Sequence, residues 1–179
     1  PESCKRECIS HLEEVIKYEG PDKIAAIIME GVVGSNGIIV PPNDYWPRVR
    51  EICDKYGILL ISDEVMSGWG RTGKWFAVDN WNVTPDIITT AKGITSGYAP
   101  LGAVIVSDKI AKFFDDKYFY AGLTYSGHAL SCAAALATIE VYEEDKLIES
   151  AALLGKYLGE ALEDIKERHV SVGDVRYIG

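Results

Sequence analysis

The sequence predicts an α/β fold with a largely parallel sheet flanked by helices. Three observations carry this reading. Residues 24–29, 58–62, 86–91 and 102–106 are short, mainly apolar runs with the length of strands, and the first is consistent with burial on both faces. Stretches with helical apolar spacing lie before, between and after them. No internal repeat and no Ser/Gly-rich linker breaks the 179 residues, a length that suits one domain and the edge of a second.

Taken in order, residues 3–18 place Cys8, Ile9, Leu12, Val15 and Ile16 at helical spacing, and Gly20-Pro21-Asp22 ends that helix. IAAIIM (24–29) is the first strand. Residues 31–43 hold three Gly and two Pro and form a loop. Asn43 or Asp44 can cap a helix over about 44–56, which Gly57 ends. ILLIS (58–62) is the second strand, 64–85 is irregular, DIITTA (86–91) the third strand and GAVIV (102–106) the fourth. Asp108 is placed to cap a short helix over 109–114. A Tyr-bearing loop follows at 115–125, then helices over 127–143 and 146–168.

The charge balance, 18 Lys+Arg against 27 Asp+Glu, gives a net −9, which argues against nucleic acid as the main partner. No run reaches the ~18 apolar residues of a membrane span, and no secretory signal is seen. Cys4, Cys8, Cys53 and Cys132 form no small disulfide framework, so a reducing, cytoplasmic setting is expected. The chain opens at Pro1 without Met and closes on Val175-Arg176-Tyr177-Ile178-Gly179, which reads as an interrupted strand; a fragment is expected.

Ligands of open parallel sheets sit at the carboxyl ends of the strands. Those ends deliver Glu30, Asp63-Glu64 and Lys92. Neighbouring strands lie about 4.8 Å apart, so a carboxylate and an amine from nearby strand ends flank one crevice. One reading is a rim salt bridge. The other is aldehyde-cofactor chemistry, which needs a Lys amine for the Schiff base and an acid to keep a pyridine nitrogen protonated. The amine must be free to attack; its ordinary pKa is about 10.4, and burial and a nearby protonated ring are expected to favour the free form.

The run LLISDEVMSGWGRTGKWFAVDNWNVTPDIITTAKGITSGYAPLGAVIVS resembles the signature of class III pyridoxal-phosphate-dependent aminotransferases, the omega-aminotransferase group. Asp-Glu-Val, Gly-Arg-Thr-Gly, Pro-Asp-Ile-Ile, Ala-Lys-Gly and Pro-Leu-Gly-Ala occur in order. Thr124-Tyr125-Ser126-Gly127-His128 and the Ala-rich CAAALATIEV follow. The resemblance implies the large domain of a fold type I transferase. Residues 1–168 would be that domain without its N-terminal part, and 169–179 the start of the small C-terminal domain.

It also implies roles. Lys92 matches the Schiff-base Lys that shuttles a proton, and Asp63 the acid that pairs with the pyridinium nitrogen. Val65 matches the aliphatic residue against one ring face, and Thr124 a Thr that binds the cofactor phosphate, usually across a homodimer interface. Glu30 matches a Glu near the substrate, although Gly31 stands where the family more often has Pro. The implied reaction moves an amino group from an omega-amino acid or amine to a 2-oxo acid such as pyruvate or 2-oxoglutarate. An aminomutase, a racemase, a decarboxylating relative and an inactive fragment share these residues and stay open. The family's phosphate turn and carboxylate-binding Arg fall outside this stretch, so the amino donor is not legible and the 179 residues alone are expected to be inactive.

Three other patterns compete. Gly68, Gly70 and Gly73 match G-x-G-x-x-G but follow no strand directly and open no helix, so dinucleotide binding is rejected. Cys4, Cys8 and His11 fall at i, i+4 and i+7 of the expected helix, with no fourth zinc ligand near; no metal is expected. Trp69, Trp75, Phe76 and Trp81 line a substrate mouth or pack a long loop.

Overall fold

The computed structural model describes residues 4–179. Helix α1 spans Glu7–Glu19 and buries Ile9 and Ile16. The expected start at residue 3 lies outside the described residues. The helix begins late because Arg6 is left-handed (φ 61°), with its guanidinium tied to Asp44 at 2.8 Å and to the Cys4 carbonyl at 3.1 Å. Cys4 therefore precedes the helix and shares no helical face with Cys8 and His11. Among the described residues, no cluster of three or more His, Cys, Asp or Glu could hold a metal ion.

Strand β1 (Ala26–Glu30) leads through the Gly-rich loop to α2 (Tyr45–Tyr56) and then β2 (Leu59–Asp63). Gly57 ends α2 in the left-handed conformation, φ 68°, as its position predicts. Asp44 occupies the N-cap position but makes no capping bond, because its carboxylate faces Arg6 and Arg48 instead. The long segment after β2 contains a 3-10 helix, Ala77–Trp81. Strands β3 (Ile87–Thr90) and β4 (Ala103–Val106) are followed by α3 (Asp108–Phe113), α4 (Ala129–Glu144) and α5 (Leu147–Arg168). Ser107 holds the N-cap position of α3, and Asp108 is its first residue.

The sheet order is β1-β2-β3-β4, parallel across the first two pairs and antiparallel between β3 and β4. The segment between β3 and β4 holds only a 3-10 turn, Lys92–Thr95, and returns the chain alongside β3 in the opposite sense. Glu30 pairs in register with Asp63, Asp63 with Thr89, and Thr89 with Val104. One row across the sheet therefore carries both strand-end acids.

Among the described residues, the main buried cluster lies on one face of the sheet. Ile9 and Ile16 of α1, Trp46, Val49, Ile52 and Cys53 of α2, and Leu60 of β2 form a buried cluster. Trp46 is fully buried, stacks on Trp81 at 6.4 Å, and donates its indole N–H to the Gly31 carbonyl at 3.2 Å, so its polar atom is satisfied. The opposite face is open, with Ile28 59% and Val104 65% exposed. Within this chain, which is much shorter than a full fold of this kind, the expected burial on both faces is met on one face. Residues past α5 fold back onto it: Tyr177 and Gly179 occupy the space beside Gly159 and Gly155, where a Cβ would overlap them.

Candidate active site

Strand β2 ends with two acids in opposite surroundings, as the alternation of a strand requires. Asp63 is half-buried on the open face, and one carboxylate oxygen accepts the Val65 N–H at 3.0 Å. Glu64 is fully buried. It accepts four hydrogen bonds, from the Ser62 hydroxyl (3.0 Å), the Ser67 hydroxyl (2.7 Å), and the N–H groups of Ala77 (2.9 Å) and Val78 (3.1 Å). Those donors pin the long segment after β2 back onto the strand end.

Lys92 stands two residues past β3. Its φ of 46° lies in the left-handed region, which costs a non-glycine residue about 1 kcal/mol or more and persists only where neighbours enforce it. Burial around this amine is expected from its chemistry, but Lys92 is exposed. It borders a cavity of about 460 Å³, walled by Met66, Trp69, Gly93, Ser96 and Tyr142 among others. Among the described residues neither Lys92 nor Asp63 takes part in an ion pair, so the rim salt bridge is not formed.

The three other expected residues sit differently. Val65 is half-buried directly after the two acids. Glu30 ends β1 in register with Asp63, and its Oε2 accepts the Gly34 N–H at 2.9 Å, which fixes it against its own loop. Gly31 is buried there, and a Cβ would stand 2.6 Å from Ala77, so a small residue is needed at that place. Thr124 is exposed in the turn before α4 and makes no hydrogen bond with the other four.

Two contributors were not legible from sequence. Glu64 shared its motif with Asp63, and only the strand alternation separates them. Tyr142 lies far along α4, and its hydroxyl reaches the Gly93 carbonyl at 2.7 Å. The glycines of the G-x-G-x-x-G pattern build a tight turn. The Trp69 N–H bonds the Trp75 carbonyl at 2.7 Å, and Gly70 and Gly73 have positive φ against Ile148 and Ala152 of α5. Trp81 belongs to the core, while Trp69 faces the Lys92 cavity.

The family model described as aminotransferase class-III matches residues 2–179. The chain belongs to the class III aminotransferases. Among class III relatives, the taurine–pyruvate aminotransferase of Bilophila wadsworthia is 46% identical over 171 residues, 92% of this chain and 38% of that protein. The putrescine–pyruvate aminotransferase of Pseudomonas aeruginosa is 44% identical over 170 residues, 94% of this chain and 37% of that protein. The solved taurine:2-oxoglutarate aminotransferase of Bifidobacterium kashiwanohense, in complex with PLP and glutamate, superposes with a TM-score of 0.93 at 50% identity, covering 96% of this chain and 38% of that one. The chain thus spans about 38% of the length of such relatives. Its mixed, mostly parallel α/β sheet is consistent with fold type I.

Proposed function

We propose that this chain carries the amine and the ring acid of a pyridoxal-phosphate-dependent transaminase. The reaction moves an amino group from an omega-amino acid or amine to pyruvate or 2-oxoglutarate. The observation that carries the reading is the pair Asp63 and Lys92, at the carboxyl ends of adjacent parallel strands and held out of any mutual ion pair. The residue types fit the cofactor: an exposed primary amine two residues past β3, a half-buried carboxylate at the end of β2 with one bond to its own turn, and the aliphatic Val65 two residues after that carboxylate.

Pyridoxal phosphate supplies an aldehyde that condenses with amines and a protonated pyridine ring that takes up electron density. Asp63 holds the proton on that ring nitrogen, since a nearby anion favours the charged form. Lys92 would hold the aldehyde carbon between turnovers, and as a free amine it would take and return the proton of the substrate α-carbon. Val65 orients the ring by contact. Thr124, exposed and distant in sequence from the other groups, binds phosphate across a homodimer interface, and Glu30 stands toward the substrate. Exposed Tyr118, Phe119, Tyr120 and Leu123 support the dimer as an apolar surface needing cover. Residues 1–168 then belong to the large domain and 169–179 lead into the small one. No helix among the described residues is long and apolar enough to cross a membrane, and the cysteine usage supports a cytoplasmic setting.

The test is a donor panel on the full-length gene product with pyridoxal phosphate: taurine, β-alanine, 4-aminobutyrate, diamines and glutamate-1-semialdehyde, each with pyruvate or 2-oxoglutarate. Acceptor-dependent release of an aldehyde or ketone is expected. Failure to take up the cofactor under any reconstitution overturns the reading, and turnover of glutamate-1-semialdehyde without acceptor replaces it with an aminomutase.

A further inference from the structure

Lys92 is bracketed by two side chains that neither catalytic role uses. The Trp69 indole N–H donates to the Thr90 hydroxyl at 2.6 Å, two residues before Lys92. The Tyr142 hydroxyl donates to the Gly93 carbonyl at 2.7 Å, one residue after it. The two rings stack on each other, 6.4 Å between centroids and 20° between planes. Gly93 completes the fit, because a Cβ there would stand 2.6 Å from the Trp69 Cβ. Between these anchors the backbone runs through Ala91 (φ −160°, ψ −150°) into the left-handed Lys92 (φ 46°). Trp69 and Tyr142 also wall the cavity that Lys92 borders.

We propose that Trp69 and Tyr142 are positioning residues, a clamp from the segment after β2 and from α4 that holds residues 90–93 so that the Lys92 amine meets the cofactor and substrate in one orientation. The inference rests on the transaminase reading. A strained φ relaxes unless its flanks are fixed, and here both flanks are fixed by hydrogen bonds from different elements. Releasing either bond lets the Lys92 backbone relax and turns the amine away, and Tyr142→Phe does so with its ring packing kept. Near-attack geometry is sensitive to such shifts: displacement of about 1 Å costs up to roughly a hundredfold in rate.

The experiment uses the full-length gene product as holoenzyme, with Tyr142→Phe, which keeps the ring and removes the hydroxyl, and Trp69→Phe, which removes the N–H. Borohydride reduction and peptide mapping first establish whether the wild type carries the cofactor on Lys92. Visible circular dichroism per bound cofactor then reads its orientation, and kcat and KM for the oxo acid are measured beside the melting temperature. The expected result is cofactor on Lys92 in all three proteins, altered dichroism in both variants, and kcat lower by about ten- to a hundredfold with KM within about twofold. A purely structural contact would lower the melting temperature by about 4 °C or less and leave dichroism and kcat unchanged, which overturns the clamp alone. A wild type with no cofactor on Lys92 overturns the transaminase reading and the clamp with it. If one variant fails to fold, the other carries the same decision.

Discussion

On the helix-covered face of the sheet Leu60 and Ser62 are fully buried, whereas on the opposite face Ile28 is 59% and Val104 65% exposed. The same alternation sorts the two acids at the end of β2. Glu64 is enclosed and accepts four hydrogen bonds; Asp63 faces the open side and accepts one. A carboxylate with every lone pair committed has nothing left for a ligand, so it organises the chain around it. A carboxylate with one bond to its own turn keeps the capacity to act on something else. On the proposed chemistry, two neighbouring letters of one motif thus divide into architecture and chemistry.

The strongest way to break this division is Lys92→Ala. On the proposed chemistry it lowers amino transfer by about 10⁴-fold or more, since it removes both the anchor and the proton carrier. Lys92 is exposed and, among the described residues, unpaired, so the melting temperature should stay near the wild type. A loss of activity accompanied by unfolding would place Lys92 with the architecture.

Glu64→Ala tests the other half. It strands the N–H groups of Ala77 and Val78 and the hydroxyls of Ser62 and Ser67 in a dry site, at about 1–3 kcal/mol for each group left unsatisfied and about 3–5 kcal/mol in all after relaxation. Urea unfolding should show this drop, and Asp63→Asn in the same assay should change stability little while depressing turnover. Equal stability losses in the two variants would erase the contrast.

Much of this was legible in the sequence, and the remainder has physical reasons. The strands were visible as apolar runs because the covered face demands them, though the strand ends shift by one or two residues: the run at 58–62 is observed as Leu59–Asp63. Asp63 and Lys92 stood out because Asp63 closes β2 and Lys92 follows β3, and the family resemblance gave them their expected roles. The antiparallel direction of β4 was hidden, because it depends on the path of the turn after Lys92 and no residue marks it. The left-handed residues Arg6, Lys92, Ser96 and Lys146 are not glycines, so the usual signal was absent. Arg6 with Asp44, and Tyr142 with Gly93, meet across 38 and 49 positions, where periodicity is silent.

A smaller effect separates the covered side by pH. Asp86 is partly buried, and burial alone would raise its carboxyl. The Leu60 N–H at 2.8 Å and the Arg50 guanidinium at 2.7 Å outweigh this and hold it below the usual carboxylate range. Lys55 and Tyr56 hold Glu13 at about 2 in the same sense. For a lowered carboxyl, the stabilisation is present above the unfolded value, roughly pH 4, and is lost as pH falls through the folded value. Asp86→Asn should therefore cost about 1.5–3 kcal/mol at pH 7 and flatten the acid limb of stability against pH. An unchanged acid limb in the variant would show that this ion pair contributes no pH dependence.

The mildest test lies at the end of α2, remote from the open face. Gly57 adopts φ 68° and donates its N–H to the last turn of the helix. A Cβ there would meet nothing within 4 Å, so Gly57→Ala introduces no clash and only the left-handed strain remains. That strain is worth about 1 kcal/mol. Gly57 ends the helix that covers the buried face, so the loss should appear in the urea midpoint and leave turnover at its wild-type value. A drop in turnover would mean that the two faces are coupled through β2, which starts two residues later at Leu59 and ends at Asp63.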